Sequence, residues 1–119
     1  MQTCEFQIEQ TNNLVLVTYM TEQLTRQESE NLVEELTQRM RYDGAVFFVL
    51  DLEHVKFIDS ACIGALVTFL QDLEHVRGRI ALANCQPNVA FLFKITRLDE
   101  AIRLYEDLQE ACREVVHGR

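Results

Sequence analysis

Hydrophobic and polar residues alternate at the start of the chain. Apolar side chains at Cys4, Phe6 and Ile8 are separated by single polar residues, which is the period of a half-buried strand. The polar residues 11–13 favour a turn, and Leu14 to Tyr19 reads as a second strand. Because the gap between the two runs is short, the pattern predicts an antiparallel hairpin.

A helix and a buried strand follow the hairpin. Thr25 and Glu28 have the spacing of a capping box, and the apolar residues after them recur at helical intervals, so a first helix is predicted from about Thr25 to Arg41. The continuous apolar run from Ala45 to Leu50 ends at Asp51. Such a run is typical of a strand that is covered on both faces.

The second half of the chain alternates helices with short strands. A second helix is predicted to begin at Ser60, because an amphipathic stripe runs from Ile63 to Leu73. Pro87 suits the first turn of a third helix, whose apolar face is predicted to carry Val89, Leu92 and Ile95. Short strands are predicted over 80–83 and 102–105, and a last amphipathic helix over 108–116.

This order of elements predicts the fold class. Helices between strands imply right-handed crossovers, so we expect an α/β domain with a mixed sheet of about five strands and about four helices. The N-terminal hairpin adds an antiparallel edge to that sheet. Only 4 glycines and 1 proline occur, and no linker or repeat divides the chain, so residues 1–119 are predicted to form one domain.

Charge and composition narrow the function classes. The chain has 11 Lys and Arg against 19 Asp and Glu, a net charge of −8. This negative net charge disfavours binding to nucleic acid and to anionic membranes. The N-terminus lacks the features of a signal peptide, and the apolar stretch from Ala61 to Leu70 is too short for membrane insertion. The protein is therefore expected to be cytoplasmic.

The cysteines and histidines do not indicate a metal site. Cys4, Cys62, Cys85 and Cys112 form no CxxC pair, and no His lies at ligand spacing from any of them. We interpret the four thiols as small, mostly buried side chains, and we expect His54, His75 and His117 at the surface. No metal or other cofactor is predicted.

The segment from Asp51 to Gly64 is the candidate functional site. A buried strand ends in Asp51, a seven-residue loop follows, and Asp59-Ser60 opens the next helix. Function in α/β sheets gathers at the carboxyl ends of strands. Ser60 has two readings here: it is the N-cap of the helix, or it is a phosphoacceptor whose phosphate would meet the positive end of the helix.

This segment, DLEHVKFIDSACIG, resembles the signature of the STAS domain, D-L-x-x-V-x-F-I-D-S-S-G-L-G in the stand-alone anti-sigma factor antagonists. The resemblance extends over nearly the whole chain. Residues 80–89 are similar to the family's strand, polar turn and x-P-x-V helix start, and residues 96–99 to its T-G-L-D. Residues 102–116 are similar to its closing strand and helix.

The resemblance implies which residues form the site. The phosphorylated serine of the family corresponds to Ser60, and the preceding Asp to Asp59. Ala61 and Cys62 replace the family's second Ser and first Gly, whereas Gly64 keeps the second Gly. The family's G-x-x-D-x-x-T appears here as YMTEQLT, with Glu22 in place of the Asp. The resemblance thus implies a partner-binding surface made of Glu22, Asp59, Ser60, Ala61, Cys62 and Gly64.

The resemblance also implies a mechanism, partner switching, in which the domain is not an enzyme and needs no cofactor. The unphosphorylated protein would bind an anti-sigma factor or a serine kinase of the GHKL type. Phosphorylation of Ser60 by that kinase would weaken the complex, and a separate phosphatase would restore it. Phe69 and Phe91 are candidates for exposed apolar contacts with the partner, although we expect Phe69 to be buried.

Three alternatives remain open. A response-regulator receiver would use Asp51 as phosphoacceptor, but the acidic pair that holds Mg²⁺ after its first strand is missing. An enzyme would use Asp51, Glu53 and Asp59, but no nucleophile with a base accompanies them. Within the family, the domain could instead be a non-switching scaffold, in a stressosome-like assembly or as a subunit of a lipid transporter.

Overall fold

The structure, a computed structural model, describes residues 5–117. Five strands form the main sheet: β1 (Phe6–Thr11), β2 (Leu14–Tyr19), β4 (Phe47–Asp51), β6 (Arg79–Ala83) and β7 (Arg103–Tyr105). Their spatial order is β1-β2-β4-β6-β7. β1 and β2 pair antiparallel, and every other neighbouring pair in this sheet is parallel. The predicted mixed sheet and its N-terminal hairpin are confirmed, although Cys4 lies outside the described residues.

Two very short strands that the sequence pattern did not predict form a second sheet. β3 (Gln23–Leu24) and β5 (Phe57–Ile58) pair in parallel. Each immediately precedes a helix, α1 (Arg26–Tyr42) after β3 and α2 (Ser60–His75) after β5. The pairing of β3 with β5 therefore ties together the segments that lead into these two helices.

The remaining helices are α3 (Pro87–Ile95) and α4 (Leu108–His117), with a 3₁₀ turn at Leu98–Glu100. The predicted helix boundaries hold to within a few residues. One detail of α3 was wrong: Ile95 was expected on its apolar face but is 57% exposed, and Phe93 is buried instead. Val89 and Phe93 are four residues apart, so they form the inward stripe of this short helix.

The core lies on both faces of the sheet. The larger cluster packs β2, β4 and β6 against α1, α2 and α3, and it includes Phe48, whose ring meets that of Phe69 edge to face at 5.1 Å. Phe69 is fully buried, as expected. A smaller cluster packs the opposite face against α4. Because β4 lies at the centre and is covered on both sides, its continuous apolar sequence is explained.

The capping box predicted for α1 is present. The Thr25 backbone N–H donates to a Glu28 carboxylate oxygen at 3.0 Å, and the Thr25 hydroxyl and the Glu28 carboxylate are also in contact. The pKa of Glu28 is lowered, chiefly by the hydrogen bond from the Thr25 hydroxyl and less by hydrogen bonds from backbone N–H groups. No helix in the described part of the chain is both long and apolar enough to cross a membrane.

Candidate functional site

The Asp51 side chain, at the end of β4, anchors the start of the loop between β4 and α2. This carboxylate is 6% exposed and accepts hydrogen bonds from the Glu53 backbone N–H at 3.1 Å and from Asn84 Nδ2 at 3.2 Å. Asn84 adopts a left-handed backbone conformation with φ 61° just after β6. Asp51 thus cross-links the carboxyl ends of two neighbouring strands, which is a structural use of the carboxylate.

Asp59 is the N-cap of α2, and the alternative that assigned the cap to Ser60 was wrong. The Asp59 carboxylate accepts from the Cys62 backbone N–H at 3.0 Å, and its backbone is extended, with φ −115° and ψ 178°. Ser60 is the first helical residue and is exposed to solvent. Asp59 has the carboxylate and the extended backbone that a cap requires, so the Ser60 hydroxyl is not needed for it.

Cys62 and Gly64 follow on α2 in different environments. The Cys62 side chain is 1% exposed and points into the core. Burial raises the pKa of its thiol to about 11, an effect that a hydrogen bond with Ser29 opposes and the charge of Asp59 reinforces. Gly64 is exposed, and a Cβ added there would meet no atom within 4 Å. Cys62 therefore helps to pack α2 onto α1, whereas Ala61 and Gly64 lie at the surface or partly so.

Glu22 lies beside the loop that leads into α2. Its backbone carbonyl accepts from the Lys56 and Phe57 N–H groups at 2.7 and 3.1 Å, which extends the β3–β5 pairing by one position. Its carboxylate is 3.4 Å from Lys56 Nζ, with both side chains largely exposed, so this ion pair adds little to stability. The structure thus brings Glu22 to the edge where Asp59 and Ser60 begin α2.

A shallow groove of about 550 Å³ runs between α1 and α2 next to Ser60. On α2 it is lined by the small residues Ala61, Gly64 and Ala65, together with Thr68. On α1 it is lined by Arg26, Glu30, Val33 and Glu34. Arg26 belongs to none of the sequence motifs described above. The only signal for it was its place directly after the capping residue Thr25.

Large apolar side chains are exposed near the same edge. Met20 follows β2 and is 42% exposed, Phe57 in β5 is 51% exposed, and Phe91 on α3 is 59% exposed. The first turn of α3 contacts the loop that contains Phe57, because Asn88 Nδ2 donates to the Lys56 carbonyl. Phe91, left undecided by the sequence, is therefore on the surface, as a partner contact would require.

The described residues contain no cluster of three or more His, Cys, Asp or Glu side chains that could hold a metal ion. Cys62, Cys85 and Cys112 are free thiols, and Cys4 lies outside the described residues. Burial raises the pKa of Cys85 to about 12.

Comparison with known proteins assigns the family. The sequence profile described as the STAS domain matches residues 5–111. The chain belongs to the STAS domain family. A Thermotoga neapolitana protein provisionally named an anti-sigma factor antagonist is 34% identical over 67 residues, which are 56% of this chain and 59% of that protein. The chain thus matches less than two thirds of the length of this relative.

Solved structures of STAS proteins have the same fold. The anti-sigma factor antagonist SpoIIAA in its unphosphorylated form superimposes with a TM-score of 0.75 at 21% identity, covering 96% of this chain and 99% of that one. SpoIIAA of Bacillus in its phosphorylated form gives a TM-score of 0.74 at 22% identity, covering 92% and 98%. A protein of Thermotoga maritima gives 0.80 at 23% identity, covering 93% and 94%.

Proposed function

We propose that this STAS domain is an anti-sigma factor antagonist that acts by partner switching. The observation that carries the proposal is the position of Ser60, which is exposed at the first residue of α2 while Asp59 serves as the cap. The hydroxyl is accessible to a kinase, and a phosphate there would lie at the positive end of a helix. Modification would therefore leave the fold intact and act on the surface.

The unphosphorylated protein would bind an anti-sigma factor that is also a serine kinase of the GHKL type. That kinase would transfer the γ-phosphoryl group of ATP to Ser60 Oγ, which loses its proton, and ADP would leave. The phosphate adds nearly two negative charges to a surface that, before modification, presents apolar side chains at Met20, Phe57 and Phe91. Complementarity to the partner would be lost, and a phosphatase would restore it.

The surface that binds the partner is proposed to consist of Glu22, Asp59, Ser60, Ala61, Cys62 and Gly64. Cys62 would act from beneath, since its side chain is buried and only holds the first turn of α2 against α1. Ala61 and Gly64 leave room for a partner side chain in the adjoining groove. Similarity to proteins named anti-sigma factor antagonists supports the assignment of function.

The decisive experiment identifies the modified residue. A GHKL-type kinase from a neighbouring gene is incubated with the full chain and ATP, and the product is analysed by mass spectrometry. We expect one phosphate on Ser60, and none on the Ser60→Ala variant. A phosphate on Thr21, Thr25 or Ser29 with Ser60 unmodified would sink the proposal.

A binding measurement then tests the switch itself. Titration calorimetry with the same kinase should give at least a tenfold weaker affinity for Ser60→Asp than for Ser60→Ala, because only the former adds charge. Equal affinities would show that charge at Ser60 does not control the complex. A large assembly in light scattering that ignores kinase treatment would instead favour the scaffold alternative.

A further inference from the structure

Arg26 and Ser60 occupy equivalent positions in two neighbouring elements. Leu24 in β3 pairs with Ile58 in β5. Each strand is followed by one capping residue and then by the first residue of a helix, which is Arg26 in α1 and Ser60 in α2. Paired strands lie about 4.8 Å apart, so the two helices begin side by side.

Both helices then run in the same direction along a shared groove. Arg26 lines that groove at the start of α1, and Ala61 and Gly64 line it on α2. Ser60 precedes Gly64 by one helical turn, so the two share a face of α2. Packed helices lie about 8–10 Å apart, a gap that the long arginine side chain can span.

Arg26 is the arginine at these helix starts, and it lines the groove. Lys56 lies nearby in an exposed ion pair with Glu22, and the other charged groups around the two helix starts, Asp59, Glu28 and Glu30, are acidic. Within residues 5–117, Arg26 takes part in no ion pair. A dianion formed on Ser60 would therefore have an arginine that is in no ion pair within reach across the groove. A guanidinium has the shape that binds phosphate oxygens in a bidentate manner.

We propose that Arg26 binds the phosphate of phosphorylated Ser60 in the same chain. The inference rests on the proposed function, in which Ser60 is the residue modified. The contact draws the phosphate toward α1 and closes the mouth of the groove. Phosphorylation then changes two side chains of the surface together, because Arg26 is withdrawn from any partner at the moment that Ser60 gains its charge.

The test uses full-length chain with phosphoserine installed at position 60 during synthesis, so that no kinase is needed. ³¹P NMR follows the titration of the phosphate in the wild-type background and in Arg26→Gln. We expect the phosphate pKa to rise by about half a unit in Arg26→Gln, because a cation that favours the dianion is lost. Arg41→Gln, at the other end of α1, is the matched control and should leave the phosphate pKa unchanged.

The α2 N-terminus and the acidic neighbours affect the phosphate pKa equally in the wild-type background and in both variants. A difference in phosphate pKa between Arg26→Gln and the wild-type background is therefore due to Arg26. Equal phosphate pKa values in Arg26→Gln and the wild-type background would overturn the inference. Such a result would not affect the proposal that Ser60 is the phosphoacceptor, because the kinase assay tests that proposal separately. A second readout needs no variant: the Arg26 Nε–H signal in ¹H–¹⁵N spectra should move on phosphorylation, and an unmoved signal would also contradict the contact.

Discussion

At the scale of single residues, Asp59 and Ser60 have separate tasks. Asp59 closes the first turn of α2 through its bond from the Cys62 N–H, at 3.0 Å. Ser60, one position later, is exposed and makes no contribution to the cap. The proposed phosphorylation of Ser60 could leave the structure intact only if stability does not depend on the serine hydroxyl. The adjacent carboxylate provides that independence.

Substitution of these two residues should therefore have unequal effects on stability. Asp59→Ala is expected to lower the free energy of unfolding by about 1 kcal/mol, because the first turn of α2 loses its cap. Ser60→Ala should change it by less than about 0.5 kcal/mol, as is usual for exposed positions. Urea denaturation of both variants measures the difference. A larger loss for Ser60→Ala would mean that the serine caps the helix after all.

At the scale of elements, the packing of the helices depends on where small residues lie. Gly64 is an exposed interior residue of α2 that has free space around it. Gly78, between α2 and β6, has none: an added Cβ would lie 2.5 Å from Leu73 Cδ1 and would collide with the Val46 carbonyl. Gly64 matches the second glycine of the STAS signature, yet the structure shows no steric need for a glycine at this position.

Replacing each glycine by alanine should therefore change stability in opposite directions. Gly64→Ala is expected to raise the free energy of unfolding by about 0.5–1 kcal/mol, because alanine favours a helix interior. Gly78→Ala is expected to lower it by about 1–3 kcal/mol through the forced overlap. Thermal and urea unfolding of the two variants provide the comparison. Destabilisation by Gly64→Ala would indicate that the groove between α1 and α2 needs the bare backbone.

At the scale of the whole molecule, the net charge of −8 is a background against which any switch must act locally. Phosphorylation of Ser60 would take it to about −10 at neutral pH. This change in total charge is small for the molecule. At the start of α2, the same phosphate would meet the positive end of the helix and, as proposed above, Arg26.

Two charged substitutions at Ser60 separate the local effect from the global one. If total charge governed stability, Ser60→Lys would stabilise the acidic chain and Ser60→Asp would destabilise it. We expect the reverse order, with Ser60→Asp the more stable by about 0.5–1 kcal/mol, because an anion is favoured at a helix N-terminus. Urea midpoints at low salt, with Ser60→Ala as the reference, decide between them. The difference should shrink in high salt.

Much of the fold could be predicted from the sequence, because its signals are local. The alternation before Tyr19, the Thr25–Glu28 capping box and the apolar run into Asp51 each report the environment of adjacent residues. The position of Ser60 at the start of a helix was predicted in the same way. Its exclusion from the cap was not, since Asp59 and Ser60 are both good capping residues and only backbone geometry separates them.

The sequence by itself thus determined the order of elements, the hairpin and the family signature around Ser60. Only the tertiary structure decided what surrounds that serine. β3 and β5 have two residues each, too few to show a period, and their pairing follows from how α1 and α2 pack on the sheet. That long-range pairing puts Arg26 and Ser60 at matching positions at the starts of α1 and α2, and it brings Glu22 next to Lys56. No local pattern in the sequence could indicate either arrangement.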